Sequence, residues 1–113
     1  MKKDDLVYLR HILDAIADIQ EFVGNMTKED FLKNKPIKYA VVRGIEIIGE
    51  ASKNLSKEFK EKQKTIPWQD IGNMRNKLIH NYPGVDYDIV WEVVQKDIDA
   101  LGKALVPMLE LKI

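Results

Sequence analysis

Arg75, His80 and Tyr82 set a permanent cation, an imidazole and a phenol within a short run, Met74-Arg75-Asn76-Lys77-Leu78-Ile79-His80-Asn81-Tyr82. Arginine presents a forked set of donors that stays charged at every physiological pH and matches the oxygens of a phosphate. Histidine titrates near neutrality and can take or give a proton. The two suit cleavage of RNA without a metal. The imidazole would deprotonate the ribose 2′-hydroxyl or protonate the leaving oxygen, and the guanidinium would stabilise the charge growing on phosphorus. DNA lacks that hydroxyl and would resist this route. On an ideal helix, five positions separate Arg75 from His80 by about 140° of rotation and about 7.5 Å of rise. They would therefore flank a phosphodiester rather than bond each other, most readily if the helix unwinds at His80. The same residues also have a plain structural use. A helix-terminal His can satisfy the last carbonyls, an Arg can cover surface, and a Tyr before Pro can pack.

The elements that must carry this run read as helices throughout. Leu9, Ile12, Leu13, Ile16, Ile19 and Val23 recur every three or four positions and make one apolar stripe on a first helix of about 20 residues. Asp4 and Asp5 suit its start, and Gly24 suits its stop. Thr27 can cap a short helix over 28–33, and Lys35-Pro36 restarts the chain. Ile37, Val41, Ile45, Ile48, Ala51 and Leu55 predict a second long helix from 37 to about 59. Gly44 and Gly49 inside it read as close-packing sites, since each costs about 1 kcal/mol against Ala. The polar stretch 60–66 reads as a loop. Pro67 opens a helix with Trp68, Ile71, Met74 and Leu78 inward, and Pro83 ends it near His80 or Asn81. Asp86 or Asp88 caps a last helix with Val90, Val94, Ile98, Leu101 and Leu105 inward. Pro107 is expected to fray or kink that helix. Ser52 and Ser56 read as polar surface. The fold class is all-α: an antiparallel helical bundle of four main helices plus one short helix, in a single domain over 1–113.

Composition narrows the chemistry. The chain has 113 residues, 45% hydrophobic and 32% charged, enough for one packed core. The absence of cysteine excludes disulfides, thiolate zinc sites and cysteine nucleophiles. Two distant histidines, neither following a Glu by three positions, argue against zinc and di-iron centres. No phosphate-binding glycine loop and no nucleophile elbow is present. No metal and no cofactor is expected. His11 and Asp14 read as a surface polar pair. No apolar run approaches a membrane span and no signal peptide is apparent, so the expectation is a cytoplasmic protein. Net charge is zero, but its distribution is uneven. Residues 1–30 carry 4 basic and 7 acidic groups, 31–80 carry 11 and 5, and 81–113 carry 3 and 6. A basic middle fits an anionic partner, or simply a solvated lysine face.

The chain resembles the HepT-like toxins of the HEPN superfamily. The family's motif is Arg, four residues, His, one residue, Tyr, met here by Arg75, His80 and Tyr82 without departure. Two longer blocks carry the likeness, RGIEIIGEASKNL at 43–55 and IPWQDIGNMRNKLIHNYPGVDYDIVWEVV at 66–94. The resemblance runs from about residue 37 to 101, and the first helix is generic beside it. It implies the toxin of a prokaryotic toxin–antitoxin pair, a metal-independent endoribonuclease acting on transfer or messenger RNA as a homodimer with the motif at the cleft. It implies Arg75 and His80 as catalytic residues and Asn76 as their support. It also implies Tyr82 as a regulatory tyrosine that receives AMP from a small nucleotidyltransferase antitoxin of the MntA kind. The added phosphate and base would fill the anion site and repel RNA. Glu46 and Glu50, four apart on the long helix, are either solvated or orient Arg75. Trp68, Ile71, Trp91 and Val94 serve the core or a dimer interface. The alternative is a non-catalytic HEPN module that presents substrates to a nucleotidyltransferase.

Overall fold

A computed structural model of the chain describes residues 1–79 and 84–110. His80, Asn81, Tyr82 and Pro83 lie outside the described residues, so the expected positions of His80 and Tyr82 receive no structural account. Helix α1 spans Lys3–Val23 and ends at Gly24, whose φ of 50° favours glycine, with its N–H donating to the Gln20 carbonyl. Helix α2, Lys28–Lys33, is capped by Thr27 Oγ1, which accepts from the Asp30 N–H at 3.1 Å. Helix α3, Lys35–Asn54, is capped by Asn34 through the Ile37 N–H and carries Pro36 in its first turn.

α1 and α3 run antiparallel. The Asp5 carboxylate at the start of α1 meets Ser56 just past the end of α3. Farther along, a Cβ on Gly44 would lie 2.7 Å from the Ile19 side chain. The backbones approach there because Gly44 carries no side chain, as the sequence suggested. Leu9, Ile12 and Ile19 of α1 interleave with Val41, Ile45 and Ile48 of α3, all fully buried.

Three boundaries differ from the sequence expectation. The long helix stops at Asn54, not near 59, and a separate helix α4 covers Lys57–Lys62, straddling the expected end of that helix and the first part of the stretch read as a loop. Ser56 causes the break. Its Oγ caps α4 by accepting from the Phe59 N–H at 3.1 Å, while Asp5 accepts from the Ser56 N–H at 2.7 Å and from its hydroxyl at 2.6 Å. Asp5, 3% exposed, thus acts as a tether between helices as well as an acid near a helix start. Ser52 is also buried rather than surface, with its hydroxyl donating to the Gly49 carbonyl.

The helix after Pro67 is two short pieces, α5 over Trp68–Gly72 and α6 over Met74–Lys77, divided at Asn73. Gly49 explains how they seat. A Cβ there would lie 3.4 and 3.5 Å from the carbonyl oxygens of Gly72 and Ile71, so α3 receives the backbone of α5 directly. The last long element begins as α7, Tyr87–Glu92, with Asp86 accepting from the N–H groups of Asp88 and Ile89. It widens into a π-helical stretch over Val93–Ile98 and continues as α8, Asp99–Glu110. Pro107 sits inside α8, which runs on past it. The irregularity falls in the π-helical stretch instead, beside α6.

The result is an all-α bundle with no strand among the described residues. α1, α3 and the α7–α8 element are its long members, and α5–α6 fills the fourth place in broken form. Trp91 packs on Phe31 at 5.4 Å between ring centres, and Trp68 packs on Phe59 at 5.9 Å while donating to the Gln63 carbonyl. With Ile71 and Val94 buried as well, these four residues have core uses within one protomer. No helix among the described residues is long and apolar enough to cross a membrane.

Candidate functional site

Helix α6 is one turn long, and its burial pattern sets the direction of every polar side chain on it. Met74 and Leu78, four apart, are buried. Arg75, Asn76 and Lys77 between them are forced outward and exposed. Arg75 leans onto α3, where its Nε donates to Glu46 Oε2 at 2.6 Å. The Arg75 side chain keeps 50% of its surface exposed, against 30% for Glu46. Among the described residues one of five guanidinium donors is thereby used, and the terminal nitrogens face no other described partner. Arg43, one turn earlier on α3, approaches the other Glu46 oxygen at 3.9 Å. Glu46 therefore sits between two arginines. Glu50, the other acid considered at the sequence level, is exposed and makes no ion pair among the described residues.

Asn76 and Lys77 face the other way. Asn76 helps line a shallow groove of about 410 Å³ with Glu92, Lys96 and Asp97. Lys77 pairs with Asp97 at 3.2 Å, tying α6 to the π-helical stretch. Arg75 and Asn76 are thus neighbours in sequence that open onto different sides of α6. The frame around the undescribed run is well defined. The Asp86 N–H donates to the Leu78 carbonyl at 2.8 Å, so the chain leaves α6 and returns beside it to start α7. His80 and Tyr82 belong to the run closed by that bond.

Sequence reasoning passed over two tyrosines near this frame. Lys35 Nζ lies 5.7 Å from the Tyr39 ring centre, and Lys38 Nζ lies 4.5 Å from that of Tyr87. Burial, and then the neighbouring Tyr39 phenol, push the Tyr87 hydroxyl above its ordinary pKa. A four-residue spacing of Lys35, Tyr39 and Arg43 was the available signal.

A cavity of about 700 Å³ lies between α5–α6 and α8 with Ile66, Ile71, Met74 and Leu101 in its walls, and Arg75 takes no part in it. No three His, Cys, Asp or Glu side chains among the described residues gather closely enough to hold a metal ion.

An α-helical bundle that displays a tethered arginine five positions before a histidine defines a small class of helical domains. The HepT-like ribonuclease family matches residues 12–108, and the chain belongs to that family. The match takes in most of α1, which looked generic by itself. A Caldanaerobacter subterraneus protein provisionally named an RNase is 48% identical over 103 residues, covering 91% of this chain and 92% of its own length. A Thermococcus cleftensis protein, provisionally named ribonuclease HepT, is 46% identical over 101 residues, 89% of this chain and 92% of its own. A Methanocaldococcus jannaschii protein named for γ-glutamylcyclotransferase and, provisionally, RNase functions is 47% identical over 110 residues. The chain spans half the length of that relative. No solved structure is significantly similar.

Proposed function

We propose that this chain is a single HepT-like domain that cleaves RNA without metal. The observation that carries the reading is the Arg75–Glu46 pair. It holds a half-exposed guanidinium on the surface, five residues before His80, with its terminal donors unspent among the described residues. Arg75 neutralises the phosphodiester and the charge that grows on it. His80 transfers the proton of the 2′-hydroxyl or of the leaving oxygen. Attack by the 2′-oxygen on phosphorus breaks the bond to the 5′-oxygen and leaves a 2′,3′-cyclic phosphate and a free 5′-hydroxyl. Asn76 is the proposed support, though within the protomer it opens onto the other side of α6 from Arg75. Two protomers related by a two-fold axis bring two Arg–His pairs to one cleft. In a toxin–antitoxin pair, a nucleotidyltransferase of the MntA kind adds AMP to Tyr82 and silences the enzyme by charge and bulk.

The test is incubation of the purified protein with bulk RNA in EDTA, followed by mapping of the fragment ends. Cyclic phosphate ends formed in the chelator are the expected result. A requirement for divalent metal, or no cleavage by protein whose Tyr82 is shown by mass spectrometry to be unmodified, would overturn the reading in favour of a binding module. Treatment with the nucleotidyltransferase and ATP should add AMP to the wild type but not to Tyr82→Phe.

Glu46 acts through Arg75 and is a positioning residue. Glu46→Gln keeps the shape but removes the charge that holds Nε. Single-turnover cleavage is expected to fall about 10- to 100-fold, because small misplacements of a catalytic group cost on this order. RNA affinity should change far less. An unchanged rate would reduce the pair to an ordinary surface ion pair.

A further inference from the structure

We propose that the outer face of α3 is a track for single-stranded RNA, with Tyr39 as the platform on which a base stacks and Lys35, Lys38 and Arg43 as the phosphate contacts leading the strand to Arg75. The proposal rests on the ribonuclease reading and adds the route by which substrate reaches the site.

The geometry begins with helical spacing. Positions 35, 39, 43 and 46 fall on one face of α3 within an arc of about 80°, and span about 16 Å of rise. The contacts follow the same line. Lys35 leans toward the Tyr39 ring, Arg43 reaches the Glu46 carboxylate, and Glu46 holds Arg75. Side chains spaced along one helix face therefore lead from the start of α3 to the proposed reaction site.

Tyr39 is the most exposed of the large hydrophobic residues among those described, at 57%. The Tyr87 ring of α7 stands close enough to be affected by it electrostatically. Lys35 and Lys38 are set against these rings rather than against carboxylates. A lysine beside an exposed ring suits a nucleotide, because the ring takes the base face while the ammonium takes the neighbouring phosphate. A stacking ring accepts any base, so this track would confer affinity with little sequence preference.

The test measures binding of a short labelled 2′-O-methyl RNA of mixed sequence, which lacks the nucleophilic hydroxyl and is not cut. Wild type should bind, and Tyr39→Ala should bind about tenfold or more weakly. Tyr39→Trp should restore affinity, since it restores the stacking face. Replacing Lys35 or Arg43 by Gln should flatten the slope of log affinity against log salt by about 0.7 for each cation removed. In cleavage assays, Tyr39→Ala should raise KM and leave kcat in place. Sedimentation and circular dichroism of each variant report assembly and folding.

Unchanged RNA affinity in Tyr39→Ala would overturn the track and leave the ribonuclease reading standing. Unchanged affinity together with a shifted oligomeric state would assign Tyr39 to a contact between protein copies instead. No binding of RNA by wild type would overturn the ribonuclease reading and the track together.

Discussion

Replacing His80 by alanine is expected to cut RNA cleavage by about 100- to 10,000-fold, the range supplied by a positioned general acid or base. Folding is expected to persist, and circular dichroism of the variant checks it. Met74 and Leu78 anchor α6, and the Asp86 N–H to Leu78 carbonyl bond closes the segment from the backbone alone. Arg75→Lys is the informative companion. It keeps a positive charge but replaces a planar fork by a point charge and has no Nε to reach Glu46. A loss of about 10- to 100-fold in the same assay is expected. If lysine serves as well as arginine, charge alone is at work and the Glu46 tether has no catalytic use. If His80→Ala cleaves at the wild-type rate, the imidazole takes no part in proton transfer. The pH profile gives a further check, because loss of a titrating imidazole should remove its limb from the rate curve.

The second large effect is on stability. Phe31→Ala should destabilise the fold by about 3–5 kcal/mol, the usual cost of emptying a buried aromatic site. For a domain of this size that is a fall in Tm of about 12–20 °C. Phe31 is fully buried, sits on a helix of only six residues, and packs against Trp91. α2 has no second buried anchor of its own. A loss below about 1 kcal/mol would show that neighbouring side chains collapse into the space. The variant also tests a link to function. α2 touches α7 through Phe31 and through the Lys28–Asp88 pair at 3.0 Å, and α7 begins just beyond the run that holds Tyr82. Chymotrypsin nicking after Tyr87, in the first turn of α7, should therefore accelerate in Phe31→Ala more than elsewhere in the chain.

Much of the architecture was written locally. The stripes on α1, α3 and the last helix follow from apolar spacing alone, because a helix that must bury one face can do so only at intervals of three and four. Thr27, Gly24 and Asp86 ended or began helices as expected, since caps depend on side chains a few residues away. Gly44 and Gly49 could be read as contact points because a helix tolerates glycine poorly without a reason. Arg75, His80 and Tyr82 were visible as residue types at a fixed spacing, and the family resemblance followed from the surrounding blocks.

What the sequence left open was decided by partners distant along the chain. The break after Asn54 depends on Asp5, 51 positions away from Ser56 in sequence, which no local pattern reveals. The division of α5 from α6 depends on α3 accepting a backbone at Gly49. The choice between Glu46 and Glu50 as the holder of Arg75 was equally invisible. Both lie on the same helix face, and only the height at which α6 docks against α3 selects Glu46. Helix type and stripe depend on neighbours within a turn, so one strand of sequence suffices to determine them. Which side chains meet across the bundle depends on how whole helices slide and cross, and that is settled only when the core packs.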